Sequence, residues 1–434
     1  MKQRLGVTLF EDQIARYFLG GNEEDFFVTL AKSFDLVIFT NSKLLDFIES
    51  RFDELEIDCE IVIEFKIIPD RGLTRVVGFL LHSMLSSESV LVEQNRKKFP
   101  ARCVAKFVRT VFGRALLLRN FLRFVHKYSI PQKTFESSFQ KAPPPLAFLF
   151  VTSLTNNYED VRVGTYYKRF TQTKLIGTVR SWDNLTSHGS LRLVPDLFLS
   201  HSDFMTAKYV KVQQLDQSRL YAWQVPAYRS SLNPREGKRT NIGKSKIKVV
   251  YACMGLSTNP DDKNMAEWLI SIFSQKASTI DFTILQHPKF LIDIQDSSET
   301  VCIKKFDYMH DSLADYYEFL CNQDLVLCGG TSVILDCLFT GTPIILLNFE
   351  ISKQDFWYSS LRYFDMIEHT RDLFIKYPLP IANSKTGLLS LISELSELKI
   401  ESLNNVSGFE HFLGNRDVNA GEVLVKAIEI RFNS

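Results

Sequence analysis

One stretch constrains the fold more than any other: Asp324 to Asn348, which reads as strand, glycine turn, helix, glycine stop and strand. Leu325–Cys328 is a short apolar run, the pattern of a parallel strand buried on both faces. Gly329 and Gly330 allow the backbone to turn sharply and leave its amides uncovered. Thr331 and Ser332 open a helix, where free N–H groups and the positive dipole end favour an anion. Gly341 ends that helix, and Pro343 leads into a second buried strand, Ile344–Leu347. In α/β folds such a turn, at the carboxyl end of a parallel strand, is where phosphorylated ligands sit. It suits equally an ordinary βαβ crossover that uses glycine for geometry alone.

The same alternation runs through the rest of the chain. In the first half, strands are expected at Leu5–Phe10, Leu36–Phe39, Ile61–Ile68, Leu146–Val151 and Leu175–Val179, with helices at Glu24–Ser33, Lys43–Glu54 and Val161–Phe170. A polar, basic, glycine-containing linker follows, Asn233–Lys246. Beyond it come strands at Ile247–Ala252, Phe282–Leu285 and Val301–Lys304, and helices at Lys263–Gln275 and Leu313–Leu320. Alternating β and α elements mean doubly wound parallel sheets. The 434 residues therefore divide into a domain over 1–235, a domain over 246–415, and a closing helix within 416–434 (Ala420–Phe432) that can cross back to the first domain. Two such halves imply a cleft between them, a preferred ligand site.

Composition excludes several classes. The net charge is +1, so bulk charge selects no nucleic-acid partner. Seven scattered cysteines without a C-x-x-C pair fit reduced thiols in a cytoplasmic protein. No leader-like segment opens the chain, and no run of about 18 apolar residues is present to span a membrane. There is no H-E-x-x-H, no G-x-x-x-x-G-K-[ST] and no G-x-G-x-x-G after the first strand, which argues against a metal hydrolase, an NTPase and a dinucleotide oxidoreductase. No metal and no cofactor is expected.

Several residues could carry chemistry. His287-Pro288 follows the Phe282–Leu285 strand, where an imidazole could bond a phosphate or a ribose hydroxyl; it could also satisfy only its own loop. After the first strand of the second half, Gly255 can make a turn at the donor site, and Ser257 or Thr258 could bind a ligand oxygen or cap the next helix, or the three could form a plain loop. Asp336 lies one turn beyond Ser332 and could accept from ribose hydroxyls, or from its own helix neighbourhood. In the first half, Arg180-Ser-Trp-Asp-Asn-Leu-Thr-Ser-His-Gly189 leaves a strand's carboxyl end. Trp182, Asn184 and Thr186 suit a polyhydroxylated acceptor, and Asp183 a general base; Trp182 could instead anchor the loop to the core. Glu159 and Asp160 are further base candidates, or an acidic pair complementing a helix dipole.

Gln94 to Tyr128 holds ten Lys or Arg and no Asp or Glu. From Arg102 it reads as one helix with Val104, Val108, Val111, Ala115, Leu118, Leu122 and Val125 on one face and Arg102, Lys106, Arg109, Arg119, Arg123 and Lys127 opposite. Such a helix can lie on an anionic membrane surface, bind a polyanionic acceptor, or pack on the core with its basic face in water.

Taken together, the two α/β halves, the mid-chain linker and the Gly-Gly-Thr-Ser…Asp…Gly-Thr-Pro element resemble the GT-B glycosyltransferases. His287-Pro288 with Thr331-Ser332 is similar to the HP and Ser/Thr motifs of bacterial sialyl- and Kdo-type transferases, and CDP-glycerol glycerophosphotransferases show comparable elements. The Ser181–Gly189 segment looks like one found in surface-carbohydrate biosynthesis proteins. The resemblance implies a cytoplasmic, metal-independent transferase moving a sugar from a CMP-, CDP- or UDP-linked donor to a bacterial surface polysaccharide or glycolipid, and the basic helix Arg102–Lys127 could hold it peripherally at the inner face of the membrane. His287, Thr331 and Ser332 would contact the donor phosphate, Asp336 would sit near the ribose, and the first domain would bind the acceptor. Where that family has an acidic motif ending in glycine, Glu159-Asp160 is followed by Val161, so Asp183 is the first choice of base. The alternatives are a nucleotide-sugar epimerase of the same fold and a non-catalytic membrane-docking protein.

Overall fold

The computed structural model describes residues 2–19, 26–64, 72–129, 131–155, 158–223, 225–229, 246–256, 258–294, 301–307, 311–377, 379–394 and 406–432. The chain forms two compact units, residues 1–230 with 410–434, and residues 231–409. The expected linker, Asn233–Lys246, lies outside the described residues except for its last position.

The first unit carries β1 (Gln3–Leu9), β2 (Phe34–Asn41), β3 (Cys59–Glu64), β4 (Phe148–Val151), β5 (Lys174–Gly177), β6 (Leu197–Ser200) and β7 (Leu220–Ala222). They form one parallel sheet in the order β3-β2-β1-β4-β5-β6-β7. The second unit carries β8 (Ile247–Ala252), β9 (Ile280–Leu285), β10 (Val301–Lys304), β11 (Leu325–Cys328), β12 (Ile344–Leu347) and β13 (Ile381–Ala382). Their order, β10-β9-β8-β11-β12-β13, is again parallel throughout. These are two Rossmann-like, doubly wound sheets, the GT-B fold class expected from the sequence. In each sheet the winding reverses at a switch point, between β1 and β4 and between β8 and β11, where open α/β sheets bind ligands.

Burial explains the strand pattern. Every residue of β4, β6, β11 and β12 is buried, which only an uninterrupted apolar run can satisfy. Strands β6, β7 and β13 were not anticipated. β7 is half-buried at all three positions and β13 has two residues, so neither shows a period, while β6 sits among Pro, Asp, Ser and His.

The basic segment departs from the single expected helix. It forms two helices, Ala101–Phe112 and Leu116–Tyr128. The break falls at Gly113, where an added Cβ would lie 2.4 Å from the Arg109 carbonyl oxygen. The two helices therefore present different faces. Val108 and Leu122 pack on Val77 and Leu81 of the Gly72–Ser83 helix and on Met84 just after it, whereas Val104 and Val111 are exposed. Arg119 is buried, its guanidinium donating to the carbonyls of Gln213 (3.1 Å) and Gly113 (2.8 Å).

The closing helix Ala420–Phe432 packs on the first unit: Trp223 Nε1 donates to the Ala420 carbonyl at 2.8 Å. Phe412 already belongs there, its ring 5.2 Å from that of Trp182, so the second unit ends before residue 415. Among the described residues, no helix is long and apolar enough to cross a membrane.

Candidate functional site

Strands β8, β9 and β11 lie side by side, and their carboxyl ends build one edge of the second unit from glycine-fitted loops. After β8, Gly255 adopts φ +82°, and an added Cβ would lie 2.5 Å from Cβ of Phe290. Glycine here both makes the turn and admits the β9 loop. After β11, a Cβ on Gly329 would meet Met254 Sδ at 2.7 Å, and one on Gly330 would meet Tyr363 Cγ at 2.4 Å.

His287 is fixed by its own loop. The amides of Lys289 and Phe290 donate to Nδ1 at 3.1 and 3.2 Å, and Gln286 clamps the loop through both backbone polar groups of Ile292 at 2.9 Å. With Nδ1 accepting, the ring proton sits on Nε2. Burial, helped by Lys289, lowers the imidazole to about 4, so it is neutral at pH 7 and presents an N–H donor. Ser332 starts the Val333–Thr340 helix and makes no side-chain capping bond. Among the described residues, the Thr331 and Ser332 hydroxyls and His287 Nε2 have no hydrogen-bond partner, while Ser332 is exposed. Two strand spacings, roughly 10 Å, separate the β9 and β11 ends, a span suited to a diphosphate with its sugar.

Other expected contacts are already engaged. The Gly255 amide donates to Asp262 Oδ2 at 2.7 Å, and the Tyr251 hydroxyl to Oδ1 at 2.5 Å. Asp262 is fully buried, and burial raises its carboxyl to about 6 against those bonds. Gly255 makes the expected turn, and a buried carboxylate holds its amide. Asp336 accepts from the Tyr316 hydroxyl at 2.9 Å through Oδ2, a structural partner within its own unit. Ser257 lies outside the described residues.

In the first unit the Ser181–Gly189 segment turns through the short helix Asn184–Ser187. Three residues expected at the acceptor turn inward, which for Trp182 is the core-anchoring alternative. Trp182, Asn184 and Thr186 are buried and frame the loop from inside: Asn184 Oδ1 accepts from the Ser181 amide at 3.1 Å, and Thr186 Oγ1 donates to the Asp183 carbonyl at 2.8 Å. Asp183 is half-buried and accepts from Ser187 Oγ at 3.2 Å. Glu159 is half-buried in the first turn of the Tyr158–Phe170 helix. Asp160 is wholly enclosed below the β1/β4 switch point, accepting from Thr8 and Thr152 hydroxyls, and burial holds its carboxyl well above the usual range.

A polar cavity of about 190 Å³ opens in the first unit, lined by His82, Thr155, Tyr158, His188, Ser190 and Arg192, with Leu154. Arg192 donates to the Tyr158 hydroxyl at 2.9 Å. His82 Nδ1 donates to the His188 carbonyl at 3.2 Å, and burial lowers this imidazole to about 4. His82 escaped sequence reasoning because it comes from a distant helix with no shared motif, and Ser190 and Arg192 because they lie just beyond the Arg180–Gly189 segment. Among the described residues, no group of three or more His, Cys, Asp or Glu gathers to hold a metal.

No protein-family model matches the chain, and no curated protein is significantly similar in sequence. Solved structures do share its fold. A Listeria monocytogenes protein described as a UDP-N-acetylglucosamine 2-epimerase aligns at TM-score 0.55 with 10% identity, over 100% of this chain and 97% of that one. The Neisseria meningitidis UDP-GlcNAc 2-epimerase, solved with UDP-GlcNAc, aligns at 0.52 with 11% identity, over 98% and 99%. The Methanocaldococcus jannaschii enzyme of that name aligns at 0.53 with 10% identity, over 98% and 99%. At these identities the likeness is one of fold.

Proposed function

We propose that the protein is a GT-B enzyme that binds a nucleotide-activated sugar at the carboxyl edge of its second unit and transfers the sugar to a hydroxyl acceptor. The observation that carries this is the set of uncommitted donors on one sheet edge, the Thr331 and Ser332 hydroxyls at a helix N-terminus with the neutral Nε2–H of His287. Donors fixed in advance stabilise charge that develops on a leaving phosphate. In the proposed step the acceptor oxygen bonds to the anomeric carbon as the bond to the phosphate oxygen breaks. The acceptor proton passes to Asp183, or to Glu159, and the nucleotide leaves as an anion bonded by His287, Thr331 and Ser332. No metal enters this step. Acceptor recognition is assigned to the cavity lined by Arg192, Ser190 and Thr155, since Trp182, Asn184 and Thr186 are turned inward. The acceptor would be a bacterial polysaccharide or glycolipid.

A second reading, a nucleotide-sugar epimerase, is favoured by the named activity of the solved structures that share the fold. It would use the same edge to bind the nucleotide but need no acceptor.

Thermal unfolding with CMP, CDP, UDP, GDP and their sugar conjugates tests the shared part. The matching nucleotide at 100-fold excess over its Kd should add about 2.7 kcal/mol; no response to any of them would overturn both readings. Chromatography of the matching sugar nucleotide incubated alone then separates them. Inversion of a sugar carbon without acceptor identifies an epimerase, while a sugar nucleotide that stays intact alone and releases its nucleotide, with the sugar bonded to the glycan, only when a glycan acceptor is added identifies a transferase.

A further inference from the structure

The three-helix layer of the first unit, Gly72–Ser83, Ala101–Phe112 and Leu116–Tyr128, turns apolar side chains outward and contains no Asp or Glu. Phe107 is 61% exposed, Leu117 86% and Phe121 59%. Val104, Phe107 and Val111 recur at i, i+3 and i+7, and Leu117, Phe121 and Phe124 at i, i+4 and i+7, so each helix carries a single apolar stripe. Neither stripe is the face that packs inward, which uses Val108 and Leu122. Soluble proteins do not ordinarily leave so many large apolar side chains together in water. Lys98, Arg102, Lys106 and Arg114 stand exposed around them.

We propose that this layer seats the protein on an anionic lipid surface, with the Phe107 and Leu117–Phe124 stripes entering the headgroup–acyl boundary and the surrounding cations meeting lipid phosphates. Charge complementarity selects this occupant. Apolar residues interleaved with Lys and Arg are the signature of an interfacial helix. A second copy of the chain would instead bring cation against cation across an interface with no carboxylate on these helices. The inference is independent of the reaction catalysed in either reading above.

Sedimentation of the full chain with lipid vesicles tests it. Binding is expected to vesicles containing phosphatidylglycerol, to weaken as salt rises, and to be slight on phosphatidylcholine alone. Each cation near an anionic surface is worth about 1 kcal/mol, or about fivefold, so Arg102→Glu with Lys106→Glu should weaken binding by about 25-fold or more. Leu117→Glu with Phe121→Glu should weaken it by more than about tenfold, with the unfolding temperature unchanged because both sites are exposed. Phe107→Ser serves as a separate variant should the double one fail to fold. The proposal falls if the wild-type chain ignores phosphatidylglycerol vesicles or if the apolar variants bind as well as wild type. It falls also if the chain instead self-associates and Leu117→Glu with Phe121→Glu abolishes only that.

Discussion

Ser332 and His287 show how the same residue types divide between structure and chemistry. Among the described residues the Ser332 hydroxyl bonds to nothing, so Ser332→Ala should leave the unfolding temperature unchanged while lowering turnover by about 10²–10³, the usual loss for one fixed donor to a developing anion. His287 has two nitrogens with two tasks: Nδ1 holds the amides of Lys289 and Phe290, and Nε2 faces outward. His287→Asn retains an acceptor for those amides but lacks the outer N–H. It should lose turnover to a similar degree while keeping near-native stability, and His287→Ala should lose both. Steady-state rates alongside melting curves distinguish the two roles. These two positions were legible as candidates because strand, turn and helix signals placed them at strand ends. The inward turning of Trp182 was one of its two sequence readings, but that of Asn184 and Thr186 was not legible, because a polar loop sequence carries no sign of which small polar side chains face in.

At the scale of the element, the β8 turn is held by a residue that no motif marked. Asp262, at the start of the Asp262–Ser274 helix, reaches back to Tyr251 and Gly255. Asp262→Ala leaves a buried hydroxyl and a buried amide without an acceptor, at a cost of about 1–3 kcal/mol for each group. Urea unfolding should report a shift of that size with an unchanged slope. Nucleotide binding should weaken as well, since the turn packs on Phe290 of the His287 loop. The neighbouring Asp261 works in the same way across a longer gap, accepting from the amides of Ile351 (2.6 Å) and Ser352 (3.1 Å) beyond β12. Strand and helix positions in this unit followed from apolar runs and glycine stops. The carboxylates that join the loops did not, because their partners lie up to 91 residues away.

At the scale of the whole molecule, buried titrating groups set the response to pH. His201 is enclosed beside Tyr209, and burial lowers it to about 4. In the unfolded chain a histidine titrates near 6.5. Between these values the unfolded state binds a proton that the folded state refuses, so stability falls as pH drops from about 6.5 toward 4 and is insensitive to this group above that window. His201→Gln should flatten the decline, by at most about 1.4 kcal/mol per pH unit, when urea stabilities of the two chains are compared from pH 7 to 5. Glu64 and Asp262, raised by burial to about 7 and about 6, contribute slopes of the opposite sign, but these cancel in the comparison. The sequence alone determined that the chain builds two parallel, doubly wound sheets and that a glycine turn ends β11, since buried strands and tight turns restrict residue type locally. Only the tertiary structure decided which face of the basic segment meets water, that it breaks at Gly113, and which polar groups are spent on internal bonds. Those outcomes depend on which distant segments pack together, and local residue preference does not encode that.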